Sequence, residues 1–162
     1  MAEFKTNAMR ILASNKIPFQ MHTYSAGDKI DAVSVSDKMG LPYDKVYKTL
    51  VTQGKSKNYY VFVLKADGEL DLKKAAKSVG EKNVEMIHVK DINKITGYIR
   101  GGCSPVGMKK QFKTVIDSRA LSLDTFLVSG GKIGFQIEVN PSSLASLIGA
   151  EFEDLLLEDD SK

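Results

Sequence analysis

The chain has 162 residues, of which 43% are hydrophobic and 27% are charged, which is typical of a folded protein and excludes disorder as the main state. A chain of this length buries about 70% of its unfolded surface in one core, so we expect a single domain over residues 1–162. No apolar stretch approaches the roughly 20 residues that cross a bilayer, and residues 1–12 lack a signal-peptide core. The predicted location is the cytoplasm, with no membrane partner.

One cysteine and two histidines exclude a disulfide framework and provide no metal-ligand spacing, so neither a metal nor a cofactor is predicted. Charge is divided unevenly along the chain. Residues 151–162 have a net charge of −5, which leaves +8 on residues 1–150. A basic body attracts polyanions such as nucleic acid or nucleotides, although a scattered lysine surface that serves solubility explains the charge equally well. We expect the acidic segment, about 151–162, to be a solvated tail.

Capping residues and hydrophobic periodicity predict the elements in chain order. The predicted helices are one that follows Thr6 and stops before Pro18, then 31–39, 71–79, and one capped by Asn140 that ends at Ile148. The predicted strands are 19–24, 46–53, 59–65, 84–88, 112–117, 125–129 and 132–139. Residues 54–58 (GKSKN) connect strands 46–53 and 59–65, which are therefore predicted to form a hairpin. Gly130 and Gly131 predict a tight hairpin between the last two strands. This mixture favours an α+β fold with a mixed sheet over a doubly wound parallel one.

The segment 98–110 has thirteen residues with three glycines, one proline and three cations, and it fits neither a helix nor a strand. Long loops in compact domains are usually functional, and glycines let a ligand approach the main chain. Successive amides in such a loop can stabilise an anion or an oxyanion, but a plain connecting loop is an equally good reading of the glycine content.

Three segments together resemble the YbaK/EbsC family, whose members are relatives of the editing domain of bacterial prolyl-tRNA synthetases. They are residues 46–50 (VYKTL), 101–107 (GGCSPVG) and 128–134 (VSGGKIG). The resemblance implies a mixed, partly closed β-sheet flanked by helices. It also implies action in trans on misacylated tRNA, with the YbaK type removing cysteine from tRNA(Pro).

Lys48 lies in a strand between apolar neighbours Val46 and Leu50 and, by alternation, on the same face as both. In the family the matching lysine is an essential substrate-binding residue, so Lys48 is assigned that role, and a lysine that only covers a sheet edge is the alternative. The family's Gly-x-x-x-Pro loop corresponds to Gly101 through Pro105. The resemblance therefore implies oxyanion donors near Gly102 and Cys103 and assigns Gly102 to catalysis. The remaining substrate-binding candidates are Tyr24, Thr49, Gly101, Ser104, Pro105, Ser129 and Gln136.

Cys103 is not predicted to be a nucleophile, because no histidine is adjacent to it in sequence. The family is understood to use the substrate's own cysteine thiol, which attacks its ester and releases a thiolactone and free tRNA, so the chemistry is of lyase or hydrolase type. Many members of the family have an acidic residue where this chain has Gln136, a difference that bears on how the substrate ammonium is held. Glu138 is the alternative anionic contact, or it faces water.

Two other functions fit the same residues. One is hydrolysis of Ala-tRNA(Pro) by a bound water, and the other is a non-catalytic module of EbsC type that binds a nucleotide or an aminoacyl-tRNA. The expected partner is tRNA, and the resemblance suggests prolyl-tRNA synthetase as a second. Four cations with no acid between them are predicted to hold the acceptor stem: Arg100, Lys109, Lys110 and Lys113.

Overall fold

The computed structural model describes residues 5–25, 27 and 30–158. Within them the chain forms five α-helices, eight strands and two short 3-10 helices. The helices are α1 (Asn7–Ser14), α2 (Ala32–Met39), α3 (Leu72–Val79), α4 (Ile92–Thr96) and α5 (Pro141–Ile148). The strands are β1 (Phe19–Thr23), β2 (Tyr47–Gly54), β3 (Tyr59–Lys65), β4 (Val84–Met86), β5 (Lys113–Asp117), β6 (Phe126–Ser129), β7 (Phe135–Val139) and β8 (Glu151–Glu153).

The four predicted helices begin and end at the residues that their capping signals indicate. In α5, the Asn140 side chain accepts a hydrogen bond from the amide of Ser143 at 3.0 Å, Pro141 is the first helical residue, and Gly149 ends the helix with φ 69°. Thr6, Asp31 and Asp71 cap the first three helices in the same way. No helix in the described part of the chain is long and apolar enough to cross a bilayer.

The strands form two sheets that meet along one seam. The five-stranded sheet has the order β4-β2-β3-β5-β8 and is mixed, since β5 runs parallel to both of its neighbours. The three-stranded sheet, β1-β7-β6, is antiparallel. At the seam Val46 and Leu127 form a parallel bridge, and the amide of Leu127 donates to the carbonyl of Lys45 at 2.9 Å. This partly closed arrangement confirms the predicted α+β fold with a mixed sheet.

The main core lies between the two sheets, α1 and α5, and a second core lies under α3. Strand β3 contributes to both, with Val61 and Val63 in the first and Phe62 and Leu64 in the second. All four side chains are fully buried. Burial on both faces explains why this strand is a continuous apolar run rather than an alternating one.

Three local predictions were wrong. Gly130 and Gly131 were expected to form a two-residue turn, but β6 ends at Ser129 and β7 begins at Phe135, so the connection has five residues. Gly131 and Gly134 both have positive φ in this connection. The helix α4 was not predicted. The third error is the segment that follows residue 150.

Residues 151–157 are packed into the fold rather than forming the solvated tail that their acidity suggested. β8 pairs in parallel with β5, and Leu155 and Leu156 are buried. The amide of Leu155 donates to the buried carboxylate of Asp117 at 2.9 Å, and the amide of Leu157 donates to the carbonyl of Glu69 at 2.8 Å. The acids face solvent while Leu155 and Leu156 enter the second core, a pattern that net charge alone does not reveal. Residues 159–162 lie outside the described part of the chain.

Candidate functional site

A cleft of about 360 Å³ opens beside the seam and is lined by both sheets. The five-stranded sheet contributes residues 47–51 of β2, with Val46 just before them, and the three-stranded sheet contributes Ser129 and Gln136. One wall is the N-terminal part of α2 with Ile30 before it, and the opposite wall is residues 86–92. The loop after α4 closes the cleft with Arg100, Gly101 and Cys103.

Lys48 lies at the start of β2 and lines this cleft, as predicted. Its ammonium donates a hydrogen bond to the carbonyl of Gly68 at 2.6 Å. Burial lowers the pKa of Lys48, and the negative charges of Asp67 and Glu69 oppose that change. An ammonium has three donors, so a half-buried lysine anchored by one carbonyl retains donors for an anionic ligand.

Two polar side-chain atoms in the cleft are buried and have no hydrogen-bond partner among the described residues. They are Oγ1 of Thr49 and Oε1 of Gln136. Gln136 is 5% exposed. Buried polar atoms are nearly always paired in folded proteins, and leaving one unpaired costs about 1–3 kcal/mol. Thr49 and Gln136 both line the cleft, so these two atoms are candidates for hydrogen bonds with a ligand.

The hydroxyl of Tyr24 is the third atom of this kind in the described chain. Tyr24 follows β1, and its amide donates to the carbonyl of Gly134 at 3.0 Å, which ties the residue to the start of β7. Tyr24 does not line the cleft itself. Its assignment to substrate binding stays a prediction.

Gly101 and Gly102 make different close contacts in the loop. Gly101 has φ 85°, and a Cβ on it would lie 2.7 Å from Cδ1 of Ile30, so only glycine lets the loop approach the α2 wall. Gly102 is buried against the β6–β7 connection, where a Cβ would lie 3.1 Å from the amide nitrogen of Ile133. Its own N–H donates to the carbonyl of Ile99 at 2.9 Å. The Gly102 amide is therefore already paired within the loop, and the assignment of Gly102 to catalysis stays a prediction.

Cys103 lines the cleft, and its backbone N–H makes no hydrogen bond within the described residues. This amide is the better candidate for the oxyanion donor expected in the loop. Burial raises the pKa of the Cys103 thiol to about 11, and a hydrogen bond with Thr96 opposes the rise. A thiol with that pKa is protonated near neutral pH, which agrees with the interpretation that Cys103 is not a nucleophile.

Glu138 does not line the cleft and is not free to bind an ammonium group there. Its carboxylate accepts hydrogen bonds from the hydroxyl of Thr125 and from Nε2 of His22, and it lies 3.5 Å from Nζ of Lys45. The Thr125 hydrogen bond is the largest cause of a lowered Glu138 pKa, followed by His22 and Lys45 among the stabilising contacts. The cleft itself is lined by Asp31, which has a carboxylate, and by Gln136, which has a neutral amide oxygen.

The structure brings together Lys48, Thr49, Arg100, Gly101, Cys103, Ser129 and Gln136. Ser104 and Pro105 are fully buried behind the loop, and the Ser104 hydroxyl accepts a hydrogen bond from the amide of Val106 at 3.2 Å. Neither residue lines the cleft, and their contact with substrate stays a prediction. Lys109, Lys110 and Lys113 are exposed outside the cleft, so only Arg100 of the predicted basic patch reaches it.

Sequence reasoning missed two walls of the cleft. One is the α2 wall, which includes Ile30 and Val35, and the other is the apolar wall formed by Met86, Val89 and Ile92. The second wall depends on α4, whose Asp91 cap makes no side-chain hydrogen bond. The spacing of Ile92 and Ile95 before a glycine was the signal available in the sequence.

Comparison with known proteins relates this geometry to a family. The family model described as "Aminoacyl-tRNA editing domain" matches residues 28–147. An Enterococcus faecalis protein named "Putative Cys-tRNA(Pro)/Cys-tRNA(Cys) deacylase EbsC" is 44% identical over 152 residues, which is 93% of each chain. A proline–tRNA ligase of Burkholderia orbicola is 24% identical over 146 residues, and the match covers 84% of this chain and 25% of the ligase.

A crystal structure of "a putative trans-editing enzyme for prolyl tRNA synthetase" superposes with a TM-score of 0.80. It is 22% identical, and the match covers 96% of this chain and all of the other, so it supports the fold alone. The family model spans all three segments on which the resemblance was based, and the matches confirm that resemblance. The chain belongs to the aminoacyl-tRNA editing domain family.

Proposed function

We propose that this protein is an aminoacyl-tRNA deacylase that acts in trans and removes cysteine from mischarged tRNA(Pro), and from Cys-tRNA(Cys). The observation that carries the proposal is the pair of buried, unpartnered atoms, Thr49 Oγ1 and Gln136 Oε1, in a cleft that also holds Lys48. An aminoacylated ribose offers hydroxyl and ammonium groups to these atoms and phosphate to the cations. The relatives support the same activity, because one is named as a deacylase of this specificity.

The cleft provides a site for each part of the charged end of tRNA. The apolar wall at Met86, Val89 and Ile92 suits the terminal adenine, since sequence-tolerant stacking needs apolar surface. Lys48 and Arg100 supply positive charge for the adjoining phosphate. The Gln136 oxygen accepts a hydrogen bond from the ammonium of the amino acid, and Thr49 pairs with a ribose hydroxyl.

The protein positions the substrate and stabilises the developing charge, and the cysteine esterified to the tRNA provides the nucleophile. The substrate thiol loses its proton to solvent, its sulfur bonds to the ester carbonyl carbon, and the Cys103 amide stabilises the developing oxyanion. The carbon–oxygen ester bond then breaks, and the ribose oxygen takes up a proton. The products are a thiolactone and free tRNA. Holding thiol and carbonyl together makes the step intramolecular, and no side chain of the protein has to become covalently attached.

Selectivity for the correct tRNA needs a second protein in this proposal. The family has no anticodon reader, and this chain spans a quarter of the proline–tRNA ligases that it matches. We therefore include prolyl-tRNA synthetase as a partner that presents the mischarged tRNA.

The test compares wild type with Lys48→Met on Cys-tRNA(Pro), Cys-tRNA(Cys), Ala-tRNA(Pro) and Ser-tRNA. Methionine keeps the apolar stem and removes the charge. The attraction between the Lys48 ammonium and a phosphate in a partly screened site is worth about 4 kcal/mol. We therefore expect Lys48→Met to lower kcat/KM on Cys-tRNA by roughly 100-fold or more. Lys73→Ala, an exposed lysine on α3, is the matched control and keeps full activity.

Release of a thiolactone from Cys-tRNA alone supports the mechanism. Release of free alanine from Ala-tRNA(Pro) at a comparable rate would contradict the substrate-thiol mechanism and indicate hydrolysis by water. Equal rates of deacylation by wild type and Lys48→Met would show that the Lys48 charge does not contribute to substrate binding. Tight binding of the charged tRNA without any release would favour a non-catalytic module.

A further inference from the structure

A second cleft, of about 300 Å³, lies at the end of the five-stranded sheet that carries the β2–β3 turn. It is separate from the first cleft but shares two wall residues with it, Met86 and Ile87. The remaining lining is mostly polar, whereas the first cleft is mostly apolar. The two clefts are therefore adjacent to each other.

The second cleft is built by backbone contacts and does not require a ligand to form. The amide of Gly54 donates to the carbonyl of Asn58 at 2.8 Å, which closes the turn. The amide of Lys55 donates to the carbonyl of Asn83 at 3.2 Å, which ties the turn to the segment before β4. The side chain of Gln53 donates to the carbonyl of Lys57 at 3.1 Å. Lys55 and Lys57 therefore have fixed main-chain positions at the rim.

The lining residues match the parts of one nucleotide. Lys55 and Lys57 are exposed cations suited to a phosphate. His88 is an exposed ring that precedes a 3-10 helix and makes no side-chain capping bond, so it is available to stack on a base. Glu85 and Asp91 add carboxylates, which accept hydrogen bonds from the exocyclic amine of cytosine.

We propose that this cleft binds the cytidine that precedes the terminal adenosine of tRNA, with its phosphate at Lys55 and Lys57. The inference rests on the proposed function, because it requires the terminal adenosine to occupy the first cleft. Every tRNA ends in the single-stranded sequence C-C-A, so such a subsite adds affinity for the acceptor end without distinguishing one tRNA from another. Stacking and phosphate contacts of this kind are the usual means of holding single strands.

The experiment uses three esters on the full-length protein: cysteinyl-adenosine, cysteinyl-CpA and cysteinyl-UpA, with a 5′-phosphate on the cytidine and the uridine. We expect the added cytidine to raise kcat/KM of the wild type by roughly tenfold, and the added uridine to raise it roughly threefold less. The double variant Lys55→Ala/His88→Ala loses the gain from cytidine while its rate on cysteinyl-adenosine stays unchanged. Lys73→Ala keeps the gain.

Two results of this kinetic comparison would overturn the inference. One is an equal loss on cysteinyl-adenosine and cysteinyl-CpA in the double variant, which indicates a general disturbance of the first cleft. The other is a wild type that gains nothing from the added cytidine. Thermal unfolding of each variant is measured alongside to identify any loss of fold.

A binding measurement separates this inference from the proposed function. The probe is an uncharged, fluorescently labelled C-C-A trinucleotide, followed by anisotropy. If the wild type cleaves no ester, the deacylase proposal fails, and weaker trinucleotide binding by Lys55→Ala/His88→Ala still supports the second cleft. Identical binding by wild type and the double variant rejects it.

Discussion

Thr49 and Thr52 lie on the same strand and differ in how their hydroxyls are paired. The Thr49 hydroxyl is buried and has no hydrogen-bond partner in the part of the chain that the structure describes, whereas that of Thr52 donates to the carbonyl of Tyr60 at 3.1 Å. Thr52 is fully buried. One hydroxyl therefore costs stability in the free protein and the other contributes to it.

Thr49→Val is expected to raise the melting temperature by roughly 2 to 4 °C, because it removes an unsatisfied polar atom at nearly constant volume. The same change is expected to lower kcat/KM on Cys-tRNA by roughly tenfold, through loss of a hydrogen bond to substrate. Thr52→Val is the control within the strand and should lower stability by roughly 1 kcal/mol with activity retained. Calorimetry and deacylation assays measure both effects, and destabilisation by both changes would argue against a vacant ligand contact at Thr49.

At the scale of elements, the segment that contains β8 is held by an ion-pair network at the edge of the sheet. Asp154 accepts hydrogen bonds from Nζ of Lys74 at 2.9 Å and from a guanidinium nitrogen of Arg119 at 3.0 Å. The Lys74 contact is the largest cause of an Asp154 pKa lowered to about 2. The ordinary pKa of an aspartate is about 3.9, so the stabilisation is complete above about pH 4 and is lost as the pH falls through about 2.

Asp154→Asn should lower the free energy of unfolding at pH 7 by roughly 1 kcal/mol or less, since a half-exposed ion pair is screened by solvent. The difference from wild type should shrink as the pH falls from 4 towards 2 and as salt is added. Urea unfolding across this pH range measures it. Asp124→Asn, another exposed aspartate, should show no such dependence, and a deficit for Asp154→Asn that stays constant with pH would contradict the assignment.

Sequence predicted the elements whose signals are local and missed those that depend on distant partners. Asn140 followed by Pro141 specified the start of α5 without any tertiary contact. In contrast, α4 lacks a side-chain cap, and β8 is a short edge strand that forms because β5 is beside it. Lys48 was singled out because a cation among apolar strand residues is anomalous and because it matches the family's lysine, and its role in substrate binding stays a prediction. The catalytic role of Gly102 stays a prediction, because glycine content does not tell that its amide is already paired with the carbonyl of Ile99.

At the scale of the whole molecule, exposed lysines beyond the cleft predict salt-dependent association with tRNA. Lys110 and Lys113 are both exposed, and neither forms a salt bridge within the described residues. Lys110→Ala/Lys113→Ala should make the plot of log kcat/KM against log salt shallower by about 1 to 2 on charged tRNA. Cysteinyl-adenosine should be cleaved as by wild type.

Stopped-flow or single-turnover deacylation between 50 and 300 mM salt, about the range where counterion release dominates, provides this slope. Lys73→Ala/Lys77→Ala changes the same number of charges on α3 and should leave the slope unaltered. If the slope became shallower by the same amount in both double variants, the total charge of the protein, rather than the surface at Lys110 and Lys113, would attract the tRNA.

The Val46–Leu127 bridge affects which amino acid on the tRNA can fit in the cleft. Lys48 and Thr49 belong to one hydrogen-bonded sheet, and Ser129 and Gln136 belong to the other, so the bridge determines the width available between them. A misplacement of about 1 Å can cost two orders of magnitude in rate. A family member suited to a bulkier or smaller amino acid can therefore arise by repacking Val46 or Leu127, with every group that touches the substrate unchanged.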